Sequence, residues 1–388
     1  MRILFLAPQP FFEVRGTPLA VLHLVRALGA LGHQVDLLTF PQGEPEPVDG
    51  VRHLRSLPLP VGRVRAGASV AKMVLDVPFV AEAVLRLAFG RYDVVHAVEE
   101  AAHLVAPVAR LLRVPLVMDV DSSIPDQLRY SGFATRGPIL GLAEALERHA
   151  LRHAAAVVTV CASLTEGVKA RAAGTPVFQI EDPPLTDRGD LPSDERVRAL
   201  RGELGLSSLP IVLYSGNFEP YQGVETLVDA SPLVPGAQLL FMGGEPDEIE
   251  RLEGRARALG AEARCVFSGK RPPSQLPAFL AAADLLVSPR SKGENTPFKV
   301  FTYLASGKPL VATRIPSHTQ LLSDETAFLV EPTPAGLAGG IRGALEDPEE
   351  ARARADRGHA LIEREYSAAR YREKVAQAYA TVEELTRG

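Results

Sequence analysis

The sequence predicts an α/β protein built from two open, doubly wound sheets. Three observations predict it. Short apolar runs rich in Val, Leu or Ile alternate with amphipathic stretches along almost all of the 388 residues. The runs are apolar throughout, as in parallel strands covered on both faces, not alternating as in half-exposed ones. The alternation lapses once, over 181–195, and then restarts. A chain of this length also exceeds what one core supports, since single cores stop growing near ~250–300 residues.

The elements follow in order. "ILFLA" (3–7) reads as a buried strand and "TPLAVLHLVRALGALG" (17–32) as a helix closed by Gly32. "QVDLLTF", "YDVVHAV", "VPLVMDV", "AAVVTV" and "TPVFQI" are the next strands, with helical sequence between them. "EDPPLTDRGDLPSDE" (181–195) is rich in Pro and Asp, poor in apolar residues, and reads as a linker. Six further runs follow: "LPIVLYSG", "AQLLFMGG", "ARCVFSG", "DLLVSP", "KPLVAT" and "AFLVEP". The tail, from about Pro348, reads as one charged helical stretch. The expected division is 1–182, 183–365 and a terminal helix, 366–388.

The totals exclude some classes of function. Net charge is −5, and a protein whose main partner is nucleic acid needs a basic face. Cys161 and Cys265 lie far apart in apolar surroundings, as buried free thiols do. "MRILFLAPQP" is too short in its apolar run for a signal peptide, and no run reaches the ~18 residues of a membrane span. A soluble, cytoplasmic protein is expected.

In open parallel sheets, ligands sit beyond the carboxyl ends of strands, so the loops there carry the information. Gly16 precedes a helix opened by Thr17 and Pro18; it marks either a plain helix start or an anion site on free N–H groups. His96 lies on its strand, compatible with core packing or catalysis, and Glu99 follows it. Asp119 and Asp121 close the strand of "VPLVMDV", where they read either as a cation-binding pair or as turn caps. His149 and His153 are one helical turn apart with no third ligand in view, so a solvent-facing pair is the better reading.

The second half offers more. Gly216, Gly243 and Gly244 follow strands and let a ligand approach backbone. Lys270 and Arg271 follow another strand. The richest loop is "SPRSKGENTPFKVFTYLASGKP" (288–309), in which Thr296, Pro297 and Phe298 open a helix. Lys299 lies in that helix's first turn, where a cation opposes the helix dipole. The placement makes sense if Lys299 faces an anion, with Arg290 and Lys270 nearby; otherwise it is a solvated lysine.

With those residues in view, the chain resembles the retaining GT-B glycosyltransferases of family 4 over essentially its whole length. The resemblance rests on "LAPQPFFEVRGTPLAVLHLVRALGALGHQVDLLT", "YDVVHAVEE", "YSGNFEPYQGVETLVDA", "FSGKRPPSQLPAFLAAADLLVSPRSKGENTPFKVFTYLASGKPLVAT" and "AFLVEPTPAGLAGGI". It implies two Rossmann-like domains facing across a cleft, a nucleotide-sugar donor on the second and an acceptor on the first. It implies retaining transfer without a metal or other cofactor, the nucleoside diphosphate sugar being co-substrate. The catalytic residues would be Asp121, Glu294 and Lys299. Donor contacts would come from Gly16, Gly216, Asn217, Gln222, Gly243, Lys270, Arg290, Asn295, Thr296, Pro297, Phe298 and Thr302. His96 and Glu99 would lie on the acceptor side.

The sequence departs from the family at telling places. Relatives carry two glutamates eight positions apart; Glu294 fits the first and Thr302 stands at the second. Asn217 and Gln222 stand where relatives have Arg and Lys, and Asp121 where they often have His. An active transferase, a decayed protein that still binds nucleotide or glycan, and a metal-assisted enzyme using Asp119 and Asp121 are all compatible with this. A UDP-sugar is the favoured donor, and the acceptor a glycan or lipid-linked molecule. The basic stretch 52–72, free of acids, reads as a loop and suggests contact with an anionic inner membrane face.

Overall fold

A computed structural model describes residues 1–13, 16–61, 70–125, 137–172 and 174–387. Residues 62–69 of the basic stretch, and 126–130 of the segment after Asp121, lie outside the described residues. The chain forms two compact units, Met1–Asp182 with Tyr371–Gly388, and Pro183–Arg370.

The first unit holds a parallel sheet of seven strands in the order β3-β2-β1-β4-β5-β6-β7. These are β1 Arg2–Ala7, β2 Gln34–Thr39, β3 Val51–Arg55, β4 Val94–Val98, β5 Leu116–Val120, β6 Ala156–Thr159 and β7 Val177–Gln179. Successive side chains point to opposite faces of a strand. Leu4 and Leu6 therefore join the apolar cluster on one face, and Ile3 and Phe5 the cluster on the other. Both faces are covered, which is why the run had to be apolar throughout. Phe5 is fully buried; truncating such a residue to Ala costs about 3–5 kcal/mol.

The second unit repeats the plan with six strands, ordered β10-β9-β8-β11-β12-β13. They are β8 Ile211–Ser215, β9 Gln238–Met242, β10 Cys265–Gly269, β11 Leu285–Ser288, β12 Leu310–Thr313 and β13 Phe328–Val330. All pair in parallel. In both sheets the strand order reverses beside the first strand, so the loops after β1 and β4, and after β8 and β11, flank the switch points where ligands collect.

Two expectations need correction. The start of the 52–72 stretch is not loop: Val51–Arg55 is edge strand β3, paired with β2. "VRHLR" carries two exposed arginines, Arg52 and Arg55, and charge is what keeps an edge strand from pairing further. The tail is not one helix but two, Pro348–Glu365 and Ala368–Arg387. The Ser367 hydroxyl accepts the N–H of Arg370 at 3.4 Å, which starts the second helix afresh. In that helix Tyr371, Val375, Ala378, Tyr379 and Val382 recur at helical spacing and enter the first unit's core. Cys161 and Cys265 are both buried and free.

Candidate active site

The richest loop closes in the second unit, between β11 and the helix Phe298–Ala305. Arg290 is buried and braces it from within. Its Nε donates to the Lys292 carbonyl at 2.7 Å, Nη1 to the Asn295 carbonyl at 3.0 Å and Nη2 to Asn295 Oδ1 at 3.0 Å. The guanidinium also lies over the Tyr221 ring. Arg290 and Asn295 thus hold the loop's shape, and two of Arg290's five N–H groups are left over.

Lys299 turns inward from the helix's first turn. Its Nζ donates to Gln222 Oε1 at 3.3 Å and sits 3.9 Å from the centroid of the Tyr214 ring. Burial, and then the charge of Arg290, hold this ammonium well below the usual lysine range. Neither cation has an ion pair with a described carboxylate. A pair of enclosed cations without a counter-charge is a site for an anion.

Gly216 follows β8 with φ 138°, and a Cβ there would meet Lys299 Nζ at 2.6 Å. The glycine is required by the lysine as well as by its own backbone. Gln222 is buried; Asn217 is exposed, and its carbonyl accepts the Tyr214 hydroxyl at 2.6 Å. Gly243 follows β9, and its N–H donates to the Gly269 carbonyl. Thr296 and Phe298 are partly buried, Pro297 is buried, and Pro297 precedes the helix as its cap. Glu294 is exposed, its carbonyl accepting Gln320 Nε2 at 2.6 Å.

Beneath this loop lies a floor that sequence reasoning missed. His318 is fully buried, bonding Ser288 Oγ through Nε2 at 2.9 Å and the Thr313 carbonyl through Nδ1 at 2.8 Å. The Thr313 hydroxyl donates to the Arg290 carbonyl. Burial brings His318 down to about 4. The Tyr303 hydroxyl accepts the Ser215 N–H at 2.7 Å, tying β8 to the helix of Lys299. These partners lie up to 88 residues apart, so only a strand-end position in "LYSG" hinted at them.

Thr302, Lys270 and Gly16 are also expected as donor contacts. Thr302 is 1% exposed and its hydroxyl accepts the Leu185 N–H at 3.0 Å, so it anchors the segment entering this unit. Lys270 is exposed and paired with Glu245. Arg271 pairs with Glu203. Gly16, in the first unit, is exposed at the start of the helix Gly16–Ala30.

The first unit gathers a second polar group at its strand ends. His96 is wholly buried and stacks on Phe5. Its Nε2 meets Asp119 Oδ2 at 3.1 Å and its Nδ1 meets the Tyr379 hydroxyl at 2.8 Å. Both ring nitrogens are used, and His96, expected on the acceptor side, is packed wholly inside this unit. Glu99 has φ 48° and accepts the Ser122 hydroxyl at 2.7 Å. Asp121 lies two residues beyond Asp119 on the same face of β5's continuation. Burial, then the charges of Asp119, Glu99 and Asp182, push its carboxyl well up, while a Thr17 hydrogen bond opposes this. Asp182 rises to about 8, through burial, then Asp119 and Glu181. His149 and His153 stack at 4.3 Å. Among the described residues no three His, Cys, Asp or Glu side chains are arranged to hold a metal ion.

Comparison with known proteins agrees with the double sheet. Residues 198–360 match the family described as glycosyl transferases group 1, and 15–178 match the glycosyl transferase 4-like domain. Sulfoquinovosyl transferase of Arabidopsis thaliana is 26% identical over 85% of this chain and 63% of its own length. The chain therefore spans under two thirds of that relative, and 48% of the lipopolysaccharide core glycosyltransferase LpsE of Rhizobium meliloti, 30% identical over 44% of this chain. Glycogen synthase of Mycobacterium tuberculosis is 27% identical over 92% of this chain and 88% of its own. Among solved structures, sucrose-phosphate synthase of Thermosynechococcus elongatus superposes with a TM-score of 0.81, 23% identity and 99% of each chain covered. HepE of Anabaena, in complex with UDP-glucose, gives 0.75 at 20% identity, covering 98% of this chain and 100% of its own. With two matched domains that together take in most of its length, the chain belongs to the group 1, family 4 type of glycosyltransferases and has their GT-B fold.

Proposed function

We propose that the protein is a retaining glycosyltransferase that moves a sugar from a UDP-sugar to a glycan or lipid-linked acceptor, needing neither metal nor other cofactor. The observation that carries this reading is Lys299: an enclosed ammonium beside Arg290, with no carboxylate partner among the described residues, in the first turn of the helix after β11. A leaving nucleoside diphosphate is the anion that suits it. Charge grows on that leaving group in the transition state, and preorganised cations and helix N–H groups are worth most where charge develops. The departing phosphate oxygen can take the acceptor's proton. Support for UDP comes from HepE, whose structure holds UDP-glucose.

The loss of charge at Asn217 and Gln222 favours the rival reading, a decayed binding protein. Lys299 counters it, since its ammonium reaches the Gln222 side chain. Incubation with a panel of nucleotide sugars in EDTA, followed by proton NMR of the anomeric signals, separates the two. The transferase reading predicts slow release of a sugar that first appears with the donor's configuration. Selective broadening of one nucleotide without turnover would favour the decayed protein, and turnover only after adding Mg²⁺ would favour the metal-assisted one.

Peripheral contact with an anionic inner membrane face, in polysaccharide or glycolipid synthesis, is part of the same proposal. The helix Val70–Phe89 exposes Met73, Val77, Ala81 and Leu85 at intervals of one turn, with Phe89 85% exposed at its end. An uncharged exposed strip on a helix is what inserts at a headgroup boundary. Among the described residues no helix is long and apolar enough to cross a membrane. Co-sedimentation with phosphatidylglycerol vesicles should therefore depend on the strip. Binding unchanged by Val77→Asp and Leu85→Asp together would count against it.

A further inference from the structure

We propose that the first unit carries a subsite for a small monovalent cation, foremost the protonated primary amine of a ligand, in the recess formed by Asp119, Asp121, Asp182 and Tyr371. The recess opens at the carboxyl ends of β5, β6 and β7 and has room for about one water-sized group. Leu24 and Val158 form part of its apolar wall.

The sequence places the carboxyls there simply. Side chains alternate along β5, so Val117 and Asp119 share a face, and Asp121 continues it. Asp182 arrives beyond the end of β7, which pairs with β6, the neighbour of β5. Tyr371 comes from the terminal helix.

The carboxylate of Asp119 is held in place on one side only. When the Tyr379 hydroxyl donates to His96 Nδ1, the ring proton stands on Nε2 and points at Asp119 Oδ2. That chain fixes the carboxylate and leaves Oδ1 turned away from the imidazole. Asp119 is 8% exposed, and Oδ1 has no hydrogen-bond partner among the described residues. A buried, unsatisfied carboxylate oxygen costs several times what a neutral one does.

The surroundings specify the sign of the missing partner. Among the described residues three carboxyls line the recess and no Lys or Arg does. The neighbouring cation Lys374 is engaged with Glu181. A neutral hydroxyl would satisfy Oδ1 but bring no positive charge to a recess whose crowded carboxyls hold their protons. An ammonium donates three hydrogen bonds from a compact centre, and the apolar wall suits the carbon that bears it.

The test is thermal stability at constant ionic strength, with D-glucosamine, D-glucose, methylammonium chloride and potassium chloride as probes. Glucosamine and methylammonium should raise Tm saturably and glucose should not. Asp119→Asn should weaken the effect at least tenfold. Asp182→Asn serves if Asp119→Asn folds poorly. Potassium matching methylammonium would keep the cation site and assign it to a free ion, with the amine of a ligand set aside. Equal responses to glucosamine and glucose, or no saturable response to any cation, overturns the proposal and leaves Oδ1 to a bound water. The readout uses neither nucleotide nor turnover, so it fails or succeeds separately from the transferase reading.

Discussion

Lys299 and Gln222, 77 residues apart in the chain, meet at 3.3 Å between Nζ and Oε1. The amide orients the ammonium without neutralising it, which keeps the positive charge for a ligand. Replacing Gln222 by Glu turns that contact into an ion pair. Nucleoside diphosphate affinity should fall tenfold or more while the unliganded protein loses no stability, because the enclosed cation gains a partner. Calorimetry with UDP and urea unfolding check both halves.

Binding of the diphosphate should take up a proton as pH rises. Burial and Arg290 hold the Lys299 ammonium well below its usual range. A bound anion favours the charged form and raises it again, so affinity should weaken toward high pH. Titrations in buffers of different ionisation enthalpy measure the uptake. Zero uptake across the pH range would mean that Lys299 does not face the anion.

Gly216→Ala should damage the site and the fold together. The new methyl would meet Lys299 Nζ at 2.6 Å, and φ 138° suits glycine alone. A loss of about 1–3 kcal/mol in stability is expected, with weaker UDP binding from the displaced ammonium. Intact binding in a folded variant would show that the lysine need not sit against the glycine.

Thr302→Val separates structure from site. The part-buried Leu185 N–H would lose its acceptor, at up to about 1–3 kcal/mol. UDP affinity of the folded variant should stay within twofold of the parent, roughly the spread of surface substitutions. A large affinity loss would return Thr302 to the donor site.

Asp182 gives the first unit a pH signature. Its carboxyl, near 4 when unfolded, is pushed up to about 8 in the folded chain. The folded state therefore binds more protons between those values, and stability falls as pH rises through that window. Asp182→Asn should remove this part of the slope and be the more stable form at pH 8, relative to pH 5. Parallel stability curves for the two proteins would contradict it.

How much of this was legible in the sequence depends on distance along the chain. The strands were legible, because burial on both faces demands unbroken apolar runs such as "ILFLA" and "LLVS". β3 was not, because its basic residues look like loop until β2 is known to lie beside it. Lys299 was legible from its awkward place at a helix start, whereas the role of Arg290 as a brace was not: its partners are backbone carbonyls, which every residue has. His96 looked like a site residue because strand ends hold ligands. Its true partner, Tyr379, lies 283 residues away on the terminal helix, beyond any local pattern.

The central claim is that Lys299 receives the donor's diphosphate. The direct test is calorimetric titration of UDP, with uridine as control, into the parent and Lys299→Ala. The account predicts that UDP affinity falls by about 1.5–3 kcal/mol, the value of a charged hydrogen bond, or roughly 10- to 150-fold, with uridine unaffected. Equal UDP affinity in parent and variant would contradict it and remove Lys299 from the site.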